Sequence, residues 1–288
     1  MTPNKILPLS CIVLAMSLFA CGADTTEEHH DDHSEHHSME PEAPAIPRHP
    51  LANQVEGTYI LRTVSTSEGT FPIVGKTKST MSGFSLATIK QEGEGFIITE
   101  QACHFEMGGS EAMKPIVSDI VPQSMPPLSA TITFEGEGDT LTYRRSETTQ
   151  LIGVTLDDPA NDPLPTEVDD PRIFDQEGDG KPGATASIAG GIDGGQLLSG
   201  EAYFIQRQRF SYSGTRTRDG KMEGMLIDDS NQKVLDATND FLKLEVTDST
   251  TLLEECTASL IPVDSTYDCA RVSNEALTLF PPLPSDEE

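Results

Sequence analysis

Leu128-Ser129-Ala130-Thr131-Ile132-Thr133-Phe134-Glu135 alternates apolar and polar residues, with Leu128, Ala130, Ile132 and Phe134 on one face. A period of two is that of a half-buried strand; a helix would bring its apolar residues round every three or four positions. Gly136-Glu137-Gly138-Asp139 follows, and then Leu141-Thr142-Tyr143-Arg144-Arg145. Two alternating runs joined by a glycine turn read as a β-hairpin.

The pattern extends outward from this hairpin. Upstream, Gly57–Val64, Val74–Met81, Phe84–Gln91 and Phe96–Met107 read as strands, with Glu92–Gly95 a turn between the last two. Met113–Pro127 carries four prolines and reads as a connector. Downstream, Ala184–Ala189 and Ser199–Tyr212 flank the glycine-rich turn at Gly190–Gly195. A further hairpin runs from Gly214–Arg216 through Arg218-Asp219-Gly220 into Lys221–Ile227, while Val234–Val246 suits helix or strand equally. Many short strands with turn signals between them give an all-β fold, an antiparallel sandwich or barrel. Gly57-Thr58-Tyr59 resembles the Gly-x-Trp opening of lipocalin-like barrels over three residues, with tyrosine in place of tryptophan.

Two details concern what the strands face. In Phe96–Met107 the alternation puts Ile97, Cys103, Phe105 and Met107 on one face, and Glu100, His104 and Glu106 on a solvated one. In Ala202–Tyr212 the residues Gln206 and Gln208 share a face with Ala202, Phe204, Phe210 and Tyr212. Glutamines there imply either a wet, ligand-holding interior or bonds to loop backbone.

The chain has 288 residues, 36% of them hydrophobic, with 47 acidic against 19 basic residues and a formal charge of −28. Such a field repels phosphate backbones, so nucleic acid is excluded as a partner. At the start, Lys5 precedes the apolar run Ile12–Ala20, which is too short to span a bilayer and reads as an export signal over residues 1–20. Leu18-Phe19-Ala20-Cys21-Gly22 resembles the lipobox of bacterial lipoproteins, although Phe19 is bulkier than that family's usual residue. The resemblance implies acylation of Cys21 and attachment to a membrane of the cell envelope. Gly22, where aspartate would favour the inner membrane, points to the outer one.

Residues 21–53 have no apolar period, are rich in charge and proline, and read as a disordered tether. His29, His30, His33, His36 and His37 fall within nine residues of it, interleaved with carboxylates. Neutral imidazoles at this density bind zinc weakly and exchangeably. Residues 54–288 are left as one β-rich domain of about 235 residues, divided into halves by a proline- and acid-rich loop over 157–183.

Within that loop, Asp175, Glu177 and Asp179 place side-chain oxygens at alternate positions, and Gly180 supplies a sharp turn after them. These are positions one, three, five and six of a calcium loop. The stretch resembles the half EF-hand loops of thrombospondin type 3 repeats, which implies calcium as a ligand. Position twelve is Ala186, and Pro171 and Pro182 exclude flanking helices, so any ion would serve as a staple.

With Cys21 assigned to the anchor, Cys103, Cys256 and Cys269 are left for disulfide chemistry in an oxidising compartment. Cys256 and Cys269 lie symmetrically about Pro262-Val263, and a hairpin there would pair them; pairing of Cys103 with either one is the alternative. There is no Gly-x-Ser-x-Gly, no His-Glu-x-x-His and no phosphate-binding loop. The expected class is a non-enzymatic binding or structural module on an anchored β scaffold, with zinc buffering by the tether as the alternative.

Overall fold

The computed structural model describes residues 47–72, 75–108, 114–189, 199–244 and 246–281. Its strands are β1 (Gly57–Phe71), β2 (Gly75–Glu92), β3 (Gly95–Gly108), β4 (Lys114–Val117), β5 (Leu128–Glu135) and β6 (Thr142–Ile152). After a long excursion come β7 (Ala184–Ala189), β8 (Gly200–Arg216), β9 (Met222–Asp228), β10 (Asn231–Ala237), β11 (Thr247–Thr251) and β12 (Thr257–Val263). Three α-helices are present among the described residues: α1 (Ala52–Val55), α2 (Ile120–Ser124) and α3 (Cys269–Leu279).

Eight of the strands close on themselves. The order β8-β6-β5-β3-β2-β1-β12-β9 returns to its start because β9 pairs with β8 as well as with β12. Every one of these pairings is antiparallel, and neighbours in space follow chain order. The fold is therefore an up-and-down barrel. β1 meets β12 at the seam, from Thr58↔Val263 to Val64↔Thr257. An eight-stranded barrel is just wide enough to be filled by side chains or to hold one small ligand. The remaining strands build on the long ones: β7 and β10 pair with the first half of β8, β4 pairs with β7, and β11 pairs with the far half of β1.

The barrel core is apolar at the end where β1 begins. Tyr59, Leu61, Ile89, Phe96, Ile98 and Leu260 form one buried cluster, which Ala52 and Val55 of α1 join. The Tyr59 hydroxyl donates to Val55 O at 2.8 Å and ties this short helix to β1. Residues 47–53, expected to belong to the tether, are thus part of the fold. His49 N donates to Gln91 Oε1 at 2.8 Å, and Ala52 is wholly buried. One helical turn suffices because only its two small apolar side chains need to enter the barrel end.

On the outer wall, α3 lies across β1, β2 and β3. Val272, Ala276 and Phe280 pack on Ile60, Phe84 and Cys103. Asp268 caps the helix by accepting from Arg271 N at 2.9 Å. Arg62 is held in this layer, its Nη1 donating to Pro281 O and its guanidinium over the Phe84 and Phe280 rings. The Cys103–Cys269 disulfide, with Cα atoms 5.0 Å apart, fastens the helix to β3.

That bond corrects the expected Cys256–Cys269 pair. Pro262-Val263 is the end of β12 and not a turn, so Cys256 and Cys269 point into different layers. Cys256 is a free, buried thiol in the barrel core. Pro262 pairs with Tyr59 of β1 on one side, while on the other β9 reaches only as far as Leu260, so on that side there is no ladder for a proline to break. A second correction concerns β2. The two runs separated at Ser82-Gly83 belong to one strand, which is described from Gly75 to Glu92 and continues through Ser82-Gly83. A Cβ on Gly83 would stand 3.0 Å from Thr63 Oγ1 and 3.6 Å from the Phe105 ring, so glycine here reflects crowding inside the barrel.

Candidate functional site

The site is built on two irregularities in the barrel wall. On β3, Ser85 pairs with Ala102 while Phe84 pairs with His104, so Cys103 is the extra residue of a β-bulge. A one-residue insertion reverses which face follows. Phe96, Ile98, Glu100 and Ala102 therefore point inward before the bulge, Cys103 turns out beneath α3, and Phe105 points inward after it. Simple alternation had placed Glu100 outside; it is inside and only 4% exposed. His104 does lie outside, stacked on Phe84, with its Nδ1 2.6 Å from Asp119 Oδ1.

On β6 the register against β8 shifts between Arg145 and Thr148. Arg145 is completely buried inside the barrel and meets Glu100 in a two-pronged ion pair, Nε to Oε1 at 3.2 Å and Nη2 to Oε2 at 2.8 Å. Its Nη1 donates to Ser146 O and to Phe210 O, each at 2.9 Å, at the point where the ladder is irregular. The Tyr212 hydroxyl completes the group by donating to Glu100 Oε1 at 2.6 Å. Burial first, and then the Glu100 charge, push the Tyr212 hydroxyl well above its ordinary value, so it stays a donor. The guanidinium also lies over the Phe210 and Tyr212 rings. A buried charge pair needs its remaining donors and acceptors filled, and this one has four of the five arginine N–H groups engaged.

Beyond this layer the barrel is not filled. A half-open cavity of about 50 Å³ lies at the end opposite α1, with Glu100 among its lining residues. Its polar lining comes from Thr63 and Ser65 of β1, Ser85 of β2, Gln150 of β6, Gln208 of β8 and Ser230. Asp228 of β9 points in with Leu226, by the alternation that leaves Ile227 outside. Phe105 and Phe210 supply aromatic walls. Gln206 and Gln208 are both buried, and neither side chain bonds to another described residue. Gln208 lines the cavity, and neither glutamine side chain bonds to loop backbone among the described residues. Phe105 also packs against Val117, Val121 and Met125, so the β3–β5 connection with β4 and α2 stands beside the cavity.

The acidic excursion interrupts a single strand line. Ile152, at the end of β6, pairs with Gln206, and Ala184, at the start of β7, pairs with Phe204 on the same β8. Between them the chain leaves and returns at a pinch, where a Cβ on Gly153 would lie 2.5 Å from Gly183 Cα. Phe174 N donates to Gly153 O and Gly183 N to Phe174 O, both at 3.0 Å. The Gln176 side chain accepts from Gly153 N at 2.8 Å. Val154 and Leu156 carry a small core of their own against Ile205.

Asp175, Glu177 and Asp179 all accept hydrogen bonds, from the excursion itself or from Thr185 of β7. Asp175 accepts from Gly178 N at 2.7 Å, Asp179 N at 3.1 Å and Gly180 N at 2.7 Å. Glu177 accepts from Thr185 N, and Asp179 from Lys181 N and the Thr185 hydroxyl. Burial raises the Asp175 carboxyl, but the backbone amides together outweigh it and hold the group below the usual range. Burial raises Glu177. Among the described residues no group of three or more His, Cys, Asp or Glu side chains is gathered to hold a metal ion. Each of the three carboxylates accepts from a backbone amide, Asp179 also accepts from the Thr185 hydroxyl, and Glu177 Oε2 is buried without a hydrogen-bond partner among the described residues. Cys21 and the tether histidines His29, His30, His33, His36 and His37 lie outside the described residues.

No protein-family model, curated protein or solved structure matches the chain. Sequence reasoning missed Arg145 and Asp228. The signal for Arg145 was its place in an alternating run, with Tyr143 and Arg145 on the face that Leu141 begins.

Proposed function

We propose that this protein is a lipid-anchored β-barrel of the bacterial cell envelope that works as a binding module, with its site at the open end of the barrel. The observation that carries the reading is the polar cavity, with one end of the barrel stoppered by α1 and the other left unfilled over a buried Glu100–Arg145–Tyr212 layer. Cores are ordinarily close-packed, and polar groups without partners are kept out of them. Gln208, without a side-chain partner among the described residues and lining the cavity, is the kind of polar group that a binding site requires of a barrel. The small volume limits the ligand: pockets for drug-sized molecules measure roughly 300–1,000 Å³.

The lipobox-like Leu18–Cys21 supports the anchor. Tritiated palmitate fed to the native host is expected to label the wild-type chain and not Cys21→Ser. For the binding site, small polar probes titrated into the full mature chain are expected to shift the backbone amides of Ser65, Ser85, Gln208 and Asp228. Shifts scattered over the surface, with none at this end, would remove the binding reading.

A second reading, divalent-metal buffering, rests on the five tether histidines within nine residues. Zinc uptake by chains with and without residues 25–37 decides it, and equal uptake removes it.

A further inference from the structure

The charge of the cavity is unbalanced. Glu100 and Asp228 are its two ionisable lining residues, and no lysine, arginine or histidine lines it. Glu100 is neutralised from below by Arg145, which grips both of its oxygens. Asp228 is not neutralised. It accepts from Ser230 N at 2.9 Å, and no cationic side chain is bonded to it among the described residues. Arg209, the neighbour of its cross-strand partner Phe210, is taken by Asp229. The cavity therefore carries one net negative charge, among hydroxyl and amide side chains, apolar residues and two aromatic rings.

From this we infer that the open end of the barrel takes a small organic cation, a protonated amine, with Asp228 as its counter-charge; the inference rests on the binding-module reading above. A charged donor on a carboxylate makes the stronger kind of hydrogen bond. Gln150, Gln208, Ser65 and Ser230 offer further oxygens for the remaining ammonium hydrogens. Phe105 puts an aromatic ring in the cavity wall, while Phe210 already carries Arg145 at 4.6 Å. An anion would meet Asp228 without a partner. A neutral molecule would cover Asp228 and leave its charge unanswered, which is costly. The −28 charge of the chain raises the local concentration of any cation. At about 10–15 Å³ of such space per water, the cavity of about 50 Å³ accommodates roughly three to five non-hydrogen atoms.

The test is a calorimetric and amide-shift titration of the full mature chain with n-propylammonium, 1-propanol and propionate, which share size and differ in charge. Only n-propylammonium is expected to bind saturably at Ser65, Gln208 and Asp228. Its affinity should fall at least tenfold in Asp228→Asn and should weaken as salt is raised in the wild type. Undiminished binding in Asp228→Asn, or binding indifferent to salt, overturns the inference. If propanol binds at this end as well as the amine, the inference fails while the binding module stands. If no probe moves these amides, both fail. The salt series and the three-probe comparison use the wild-type chain, so the test survives a variant that does not fold.

Discussion

Arg145 is the residue on which the barrel interior turns. It is fully buried, it spans Glu100 and two backbone carbonyls, and it stacks on two aromatic rings. Removing one member of a buried pair strands the other, at a cost of about 3–5 kcal/mol. Arg145→Met is expected to lower unfolding stability by that amount in urea. Arg145→Met with Glu100→Leu should recover much of the loss, because no charge is then left alone. Gly183 makes a second prediction at this scale. Its φ is +78°, and a Cβ would lie 2.2 Å from Phe204 O, a backbone atom that cannot swing away. Gly183→Ala should cost about 1–3 kcal/mol and disturb the pinch beneath the excursion, visible as faster amide exchange at Gly153 and Phe174. Glu100 was misplaced by the sequence reading for a physical reason. A bulge is a pairing event, and nothing in Gln101-Ala102-Cys103-His104 announces which residue will be left without a partner.

Elements were more legible than residues. Leu128–Glu135 and Ala184–Ala189 are strands with the bounds their alternation gives, and the β8–β9 turn falls at Arg218-Asp219-Gly220. Where the reading failed, a longer-range contact outweighed a local signal. Ser82-Gly83 looked like a break and is the crowded middle of β2; Pro262 looked like a turn and is strand, because β1 pairs with it. The Cys103–Cys269 bond follows from α3 returning to the barrel wall, a fact of packing and not of spacing. It closes a loop across 166 residues, and removing a native disulfide of a secreted domain costs about 2–5 kcal/mol. Cys269→Ser should show that loss, whereas Cys256→Ser should not abolish the bridge. The acidic excursion is an element of its own, held by carboxylates. The Arg172 guanidinium and its amide hold Asp170 down to about 2, against an ordinary 3.8. Asp175 and Asp158 are lowered as well. Carboxyls that are more acidic folded than unfolded bind fewer protons in the native state. Their stabilisation is complete above pH 3.8 and is lost as pH falls toward 2. Exchange at Gly178 and Gly180 amides should quicken across that window, ahead of the barrel strands. Calcium titrated against melting decides whether the stretch is also an ion staple: a rise that depends on Asp175 and Asp179 supports the staple, and no shift removes it.

At the scale of the whole molecule, the all-β class was written in the alternation, but the choice between sandwich and barrel was not. Closure depends on β12 finding β1 across the whole described fold, and both strands read alike whether or not they meet. The proposed binding site depends on that seam: only a closed wall stoppered by α1 makes the far end a cavity, and only an enclosed Glu100–Arg145 layer gives it a polar floor. Membership of a family gives no guidance here, so the seam itself must be measured. Cross-strand nuclear Overhauser contacts in the protein should show Leu61 against Leu260 at the β1–β12 seam together with Tyr212 against Leu226 at the β8–β9 pair. The account predicts both sets at once. Contacts between β8 and β9 with none between β1 and β12 would mean an open sheet without an enclosed site, and would contradict it.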